Sequence, residues 1–497
     1  MSGTTKILVA ALVGVVVLVV AVAVPALRVD AQGGAEWKPV AGLPLEEPRQ
    51  LHSRDGVLRV DLDTRRRAIT VSGARIEAQP FNGALIGPTL HVRPGDRIVA
   101  TIRNATSERT NIHYHGMHVS PRGRSDNVFR VFHPGQTVKS IVDVPTGHSP
   151  GTYWYHVHLH GLTEEQVMGG MSGLLVVDGL KELLPTRLRT IRERQLAIRD
   201  VQHKGDSVVM DAADINVQGP TTRLVNGLLL PRFGLRSGET QLWRIANIGA
   251  DLFYDVHLTG HRLHVVAEDG SPVWRVWSRR HLVLPPGKRY DVLVQGGPPG
   301  RYEFRTVKYD EGFQLLPTTT LANVRVRGPA ARPDLALPKT LDTPAESPAD
   351  LPVRRKRTFT FSFDFKSPEF AHINGEPFNP HETNVAPLLG SVEEWTLRNA
   401  TDEDHPFHIH VNDFQVMRVN GKPHRANGLQ DVVIIPKHGS VVIRNPFRRY
   451  TGHFVFHCHI LAHEDGGMMK TVQVLRKGQK PTPPPGGHMM MEHEQHP

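Results

Sequence analysis

Histidine is where this sequence concentrates its chemistry. Four His-x-His pairs stand in two distant parts of the 497-residue chain: His113/His115 in HYHG, His156/His158 in WYHVHLHG, His408/His410 in HPFHIH and His457/His459 in HCH. With 29 histidines in all, chance alone yields about 1.7 such pairs, so one pair says little and the set says much. Side chains alternate along a strand, so residues i and i+2 share a face. Each pair therefore sends two imidazoles the same way, and eight imidazoles converging from two segments suffice to hold three copper-sized ions.

The only cysteine, Cys458, lies between His457 and His459. An internal disulfide is excluded, which leaves a nucleophile, an inert buried thiol or a metal ligand. Alternation turns Cys458 away from its two neighbours, so it needs partners of its own on the opposite face. His405 falls off the paired face of its strand, and His463 and Met468 follow Cys458 closely. A thiolate, two imidazoles and a weak thioether form the ligand set of a blue-copper electron-transfer centre. One short strand would then serve two metal centres on its two faces. A nucleophilic role lacks a free histidine, because those nearby are already engaged.

The elements that must position these residues read as β-strands. The 45 glycines and 39 prolines mark many turns, and runs such as RIVATIRNAT, SGLLVVDG and GSVVIRNPF are β-branched or alternating. The nearest approach to helical spacing, LKELLPTRLRTIRER, is interrupted by Pro185. An all-β protein of sandwich or small-barrel modules follows, and the modules repeat. FNGALIGPTLHVRPGDRIVATIRNAT begins at residue 81, VNGLLLPRFGLRSGETQLWRIANIG at 225 and INGEPFNPHETNVAPLLGSVEEWTLRNAT at 373. Each has Asn-Gly, an apolar stretch, a Gly-centred turn and a strand ending in Asn. Later in each module GTYWYHVH, GRYEFRTV and GHFVFHCH align without a gap; the middle copy has Arg305 and Val307 where the others carry histidine. The sequons at Asn104 and Asn399 fall at equivalent strand ends and report the repeat rather than glycosylation.

The first residues read as an address. An unbroken apolar run at 7–24 follows Lys6 and ends before Pro25. It is a long secretory core that approaches the shortest membrane span, with cleavage expected after Ala26 or Ala31 and no twin arginine ahead of it. Work outside the cytoplasm is expected, where a lone cysteine is safest when a metal holds it. The formal charge of +10 comes with basic clusters at 65–67, 354–357 and 448–449. They are scattered and lack interleaved aromatics, which reads as a solvated basic surface and not as a nucleic-acid site.

Through these motifs (HYHG, HVH, HPFHIH and HCHILAHEDGGM) the sequence resembles the three-domain multicopper oxidases, including bacterial laccases and periplasmic copper oxidases, over nearly all of residues 36–476. The resemblance implies three consecutive cupredoxin-like Greek-key β-sandwich domains at 36–180, 181–328 and 355–476. A signal peptide or anchor (1–31), a Pro/Ala-rich linker (329–354) and a flexible tail (477–497) complete the chain, which is expected to be a monomer. It implies four copper ions: type 1 on His405, Cys458, His463 and Met468; type 2 on His113 and His408; one type 3 ion on His115, His156 and His459; the other on His158, His410 and His457. A reductant would yield single electrons at the type 1 ion, through the edge of His463. They would cross from Cys458 to His457 or His459, and four transfers would reduce dioxygen to two waters. Asp126 and Glu464 resemble the family's proton relays, although RGRSDN around Asp126 is also ordinary turn sequence, with DN where DG is commoner.

Two substrate classes stay open. One is phenols and aromatic amines. The other is a metal ion such as Cu(I), suggested by the soft ligands of the tail GGHMMMEHEQHP. Against the second, the middle domain has only Met210 and no methionine-rich insertion. A copper store or electron carrier would need only the type 1 ligands, so four intact histidine pairs oppose it.

Overall fold

A computed structural model describes residues 36–216, 218–330, 332–343 and 347–486. The apolar run at 7–24, both cleavage positions and the tail from His488 lie outside them. Among the described residues no helix is long and apolar enough to cross a membrane.

The same pairing scheme occurs three times. Val57–Thr64 runs parallel to Arg97–Asn104, Arg192–Val201 to Thr240–Asn247, and Val353–Phe363 to Val392–Asn399. The second strand of each couple then pairs antiparallel with Thr137–Asp143, Arg289–Gln295 or Ser440–Pro446. A facing sheet holds the strand of the aligned motif, Gly151–His156, Gly300–Val307 or Gly452–Cys458, each between two antiparallel neighbours. The molecule is all-β, with three consecutive cupredoxin-like sandwiches. Alternation builds their interiors: in VLRVDLDT, Leu58, Val60 and Leu62 turn inward while Arg59 and Asp61 face water. Around Pro185 the chain forms only two short 3-10 turns, Leu180–Leu183 and Thr186–Leu188. Among the described residues the α-helices are Thr163–Met168 and Leu461–Asp465.

The repeated asparagines have a shared physical role. Asn104 donates from Nδ2 to the carbonyls of Glu108 and Phe132, at 2.7 and 3.0 Å. Asn247 does so to Leu252 and Leu284, at 2.8 and 3.0 Å, and Asn399 to Glu403 and Ile435, at 2.6 and 3.0 Å. In every case Oδ1 accepts from the backbone N–H two residues on, in Thr106, Gly249 or Thr401. Each amide thus pins the loop leaving a central strand to the opposite side of its sandwich. All three are buried, so the two sequons spend their amides inside the fold. The Asn of the Asn-Gly that opens each module, Asn82, Asn226 or Asn374, has φ between 53° and 59°, as a tight hairpin turn with two left-handed residues requires.

The Pro-rich spacer expected to be flexible is held by Thr482, whose backbone and hydroxyl bond Gln473, Thr383 and His453.

Asn247→Ala strands two buried carbonyls and one N–H, each costing about 1–3 kcal/mol. Calorimetry should show a lower unfolding transition; a parental melting profile would refute the pinning role.

Candidate metal centre

Four strands bring the histidines together. His113 pairs opposite His156 on neighbouring strands of the first sandwich, and His408 opposite His457 in the third. The second member of three pairs, His158, His410 and His459, lies just past its strand end. Strict alternation therefore places only part of the set, and the turns that follow place the rest. All eight rings are buried. The two sandwiches interleave their rings: His113 stacks on His410 and His115 on His408, both with centroids 3.8 Å apart. His158 Nε2 lies 3.1 Å from Nε2 of both His457 and His410, and His459 Nε2 lies 3.1 Å from His115 Nδ1.

Outer partners decide which nitrogen faces inward. His113 Nδ1 donates to Asp126 at 2.9 Å, His156 Nδ1 to the carbonyl of Val157 at 2.6 Å, and His408 Nδ1 to that of Asp431 at 2.9 Å. His457 Nδ1 donates to the Cys458 carbonyl at 2.9 Å. His115 is reversed: its Nε2 donates to Asp431 Oδ1 at 3.2 Å and its Nδ1 turns inward. A ring nitrogen that donates outward leaves the other as a lone pair, the state a metal ligand needs. Burial, aided by the neighbouring imidazoles, also holds the pKa values down, well below the usual value for His113, His115, His156 and His408 and to about 3 for His459. Nε2 of His113, His156 and His408 has no hydrogen-bond partner among the described residues. Buried lone pairs without donors are costly unless a cation accepts them. The donor set fits copper.

A second constellation lies behind the same strand. Cys458 Sγ is 3.5 Å from His405 Nδ1 and 3.7 Å from His463 Nδ1. Met468 is buried in the same core, and its carbonyl accepts from Cys458 N at 3.0 Å. Thr401 Oγ1 is 2.8 Å from His405 Nε2, on the far side of that ring. Burial raises the Cys458 thiol well above its usual range, so a thiolate here depends on a cation beside it. His463 is 8% exposed and has Glu403 Oε2 at 3.4 Å from Nε2. Burial, then Glu311 and Asp402, push the Glu403 carboxyl up to about 7. Phe363 stands 5.0 Å from the His463 ring, and Phe365, 78% exposed, stacks on Phe370 at 5.8 Å.

Glu464 bridges inner rings, with Oε1 3.3 Å from His158 Nδ1 and Oε2 2.9 Å from His457 Nδ1. Thr163 donates to Glu464 Oε1 at 3.1 Å. Asp126 touches His113 through both oxygens and accepts from Tyr114 N; burial raises its carboxyl to about 8. His160 points elsewhere, 3.1 Å from Glu369.

Sequence reasoning missed what lies beneath the cluster. Arg289, from the middle sandwich, makes a two-pronged ion pair with Asp431 at 2.7 and 2.8 Å, and Asp269 accepts from Arg289 N and Lys288 Nζ. Burial opposes the Arg289 charge, but Asp431 and Asp269 more than reverse that and raise its pKa. Removing one partner of such a pair costs about 3–5 kcal/mol. Gly116, the glycine of HYHG, has φ +83°, and a Cβ there would overlap the Asp431 carboxylate and the Arg289 guanidinium. That glycine was the one visible signal of a crowded neighbour. Gly287 is similarly pressed: its Cβ would come within 3.0 Å of both His115 and His459.

Comparisons with known proteins give the family and the fold. Sequence models for multicopper oxidases match residues 64–182, 190–328 and 346–478. The multicopper oxidase mco of Staphylococcus haemolyticus is 26% identical over 405 residues, which cover 79% of this chain and 83% of that one. The solved multicopper oxidase from Campylobacter jejuni, described as a metallo-oxidase, aligns with a TM-score of 0.78 at 23% identity, over 89% of this chain and 98% of that one. The laccase-like multicopper oxidase CueO from Ochrobactrum sp. aligns at 0.75 and 26% identity, over 87% and 100%. This chain belongs to the multicopper oxidase family, which implies copper binding and an oxidoreductase that couples a reductant to dioxygen.

Proposed function

We propose that this chain is an exported, laccase-like oxidase that takes electrons singly from phenols or aromatic amines. Four copper ions would be held by His405, Cys458, His463 and Met468; by His113 and His408; by His115, His156 and His459; and by His158, His410 and His457. The observation that carries this reading is Cys458. Its Sγ faces His405 and His463, while its two peptide neighbours enter the eight-histidine cluster.

Copper bound in these places supplies one-electron oxidation of the reductant and reduction of dioxygen to two waters. The chain's own groups do the remainder. His463 offers an imidazole edge to solvent, and the exposed Phe365 and its stacked Phe370 give an aromatic reductant a surface beside it. Glu403, next to His463 Nε2, accepts the proton that a phenol releases on oxidation. The Cys458 carbonyl, hydrogen-bonded to His457 Nδ1, shortens the path from the thiolate side to the cluster side. Glu464, in contact with two cluster rings and with the Thr163 hydroxyl, delivers protons where dioxygen is consumed. Asp126 fixes the His113 tautomer.

A second reading, oxidation of a metal cation, is favoured by one observation: Glu311 and Asp402 crowd Glu403 at the same rim.

Purified protein should hold four coppers per chain and be blue; Cys458→Ser should lose the colour and turnover but keep the other three ions. One copper per chain, or normal turnover in that variant, would defeat the proposal.

Glu464→Gln keeps size but shuttles protons poorly, so stopped-flow reoxidation by oxygen should slow about 100-fold with copper content preserved. A parental rate across pH would remove Glu464 from proton delivery.

The reductant is decided by comparing phenol and Cu(I) turnover in Phe365→Ala and Glu403→Gln. The aromatic reading expects Phe365→Ala to raise the phenol KM about fivefold. If Phe365→Ala changes nothing and Glu403→Gln raises the Cu(I) KM about fivefold, the metal-ion reading replaces it.

A further inference from the structure

The middle sandwich has Arg305 and Val307 at the positions where its neighbours carry cluster histidines, yet its outer face holds a groove of about 1550 Å³. The floor is a sheet with arginines at alternate positions. In Thr319–Pro329, Val324 and Val326 enter the core while Arg325 and Arg327 face out. Strand register sets Arg327 opposite Arg236 and Arg325 opposite Arg301. Like charges directly opposite destabilise a sheet unless an anion lies between them. Arg192, Arg194 and Arg232 add to one wall, and Arg187 and Arg332 to the rim, making nine guanidiniums.

Against these nine stands one lining carboxylate, Glu239, already accepting from Arg236 N at 2.6 Å and Gln241 Nε2 at 2.8 Å. Among the described residues no carboxylate lies within ion-pairing distance of any of the nine; Arg187 and Arg194 donate instead to the carbonyls of Ala336 and Gly234 at 3.0 Å. Burial and then the adjacent Arg192 lower the Arg194 pKa, against a partial opposing pull from Glu47 and Glu239. These nine arginines, dispersed between residues 187 and 332, are gathered here, whereas the basic clusters at 65–67, 354–357 and 448–449 are not among them.

We propose that this groove binds a linear inorganic polyphosphate, a polymer of phosphates without bases. Guanidinium forks match oxyanions by paired hydrogen bonds, and a tetrahedral phosphate can take forks from several strands at once. The volume exceeds the roughly 300–1,000 Å³ of small-ligand pockets, and the charges are spread over three adjoining strands, which suits an extended chain rather than one small anion. The concave shape opposes a flat bilayer. Nucleic acid is disfavoured because the groove's aromatics are already covered: Phe233 by Arg194 at 4.9 Å and Trp243 at 5.2 Å, and Tyr302 by His261 at 4.5 Å. The proposal is independent of the copper sites.

The test uses full-length, copper-loaded protein and inorganic polyphosphate of about 15 units, a length that spans such a groove, with binding followed calorimetrically against salt. Affinity should fall steeply with salt. The variant Arg236→Gln/Arg301→Gln/Arg325→Gln/Arg327→Gln should bind about 100-fold more weakly and show a log–log salt slope smaller by about 3. Phenol turnover and blue absorbance should be unchanged. Should the fourfold variant melt early, Arg325→Gln/Arg327→Gln alone should give about half the slope change. An unchanged slope in the variants overturns the proposal. So does equal binding of monomeric phosphate at matched total phosphate. Tighter binding of polyglutamate, single-stranded DNA or anionic vesicles overturns it as well.

Discussion

Everything in this molecule depends on keeping eight imidazoles neutral and aimed inward in one buried volume. Crowded histidines repel one another as soon as they protonate, and a rotated ring presents a donor where a lone pair is needed. The fold meets the condition from outside the cluster. Asp126, the Asp431 carboxylate, and the carbonyls of Val157, Asp431 and Cys458 each take the outward N–H of one ring. The same chain segment then serves both centres, because the Cys458 carbonyl orients His457 while its sulfur faces away from the cluster.

This demand explains the middle sandwich. Its aligned strand has lost the histidines, but it supplies the charge that fixes Asp431. Arg289 holds that carboxylate from below, Asp269 holds the Asp431 and Val432 N–H groups, and Gly287 lets the backbone approach two rings. A buried ion pair is a poor source of stability by itself. Here it fixes a position: Asp431 touches His115 with its side chain and His408 with its backbone, one ring from each flanking sandwich.

Much of this was legible in the sequence. Period-two strands, three repeated Asn positions and the Cys458 context each follow from a local rule, and local rules survive without an alignment. The repeat even exposed the sequons as structural, since all three asparagines make the same set of hydrogen bonds, each in its own sandwich. What stayed hidden depends on register between distant strands. Asp431 and Arg289 are unremarkable in LQDVVIIP and GKRYDV; only their meeting gives them a role, with Gly116 as the faint trace of it. The arginines of RFGLRS and NVRVRG alternate visibly, yet nothing local says that Arg236 will face Arg327. Turn geometry was equally opaque, so alternation alone misplaced the reason that His158, His410 and His459 converge.

One 3.1 Å contact across the cluster, His115 with His459, joins residues 344 apart in the chain. Closing so long a loop is costly before its contacts form, and the strand Gly452–Cys458 is the last of the four histidine-bearing strands to be made. A nascent chain has therefore exposed the HYHG and HVH imidazoles long before their partners exist; no chain ending short of His459 contains the eight histidines, and none ending short of Met468 contains the Cys458 set. Metal capture thus waits for this one late strand, and a product truncated before Cys458 loses both centres together instead of retaining a half-active one.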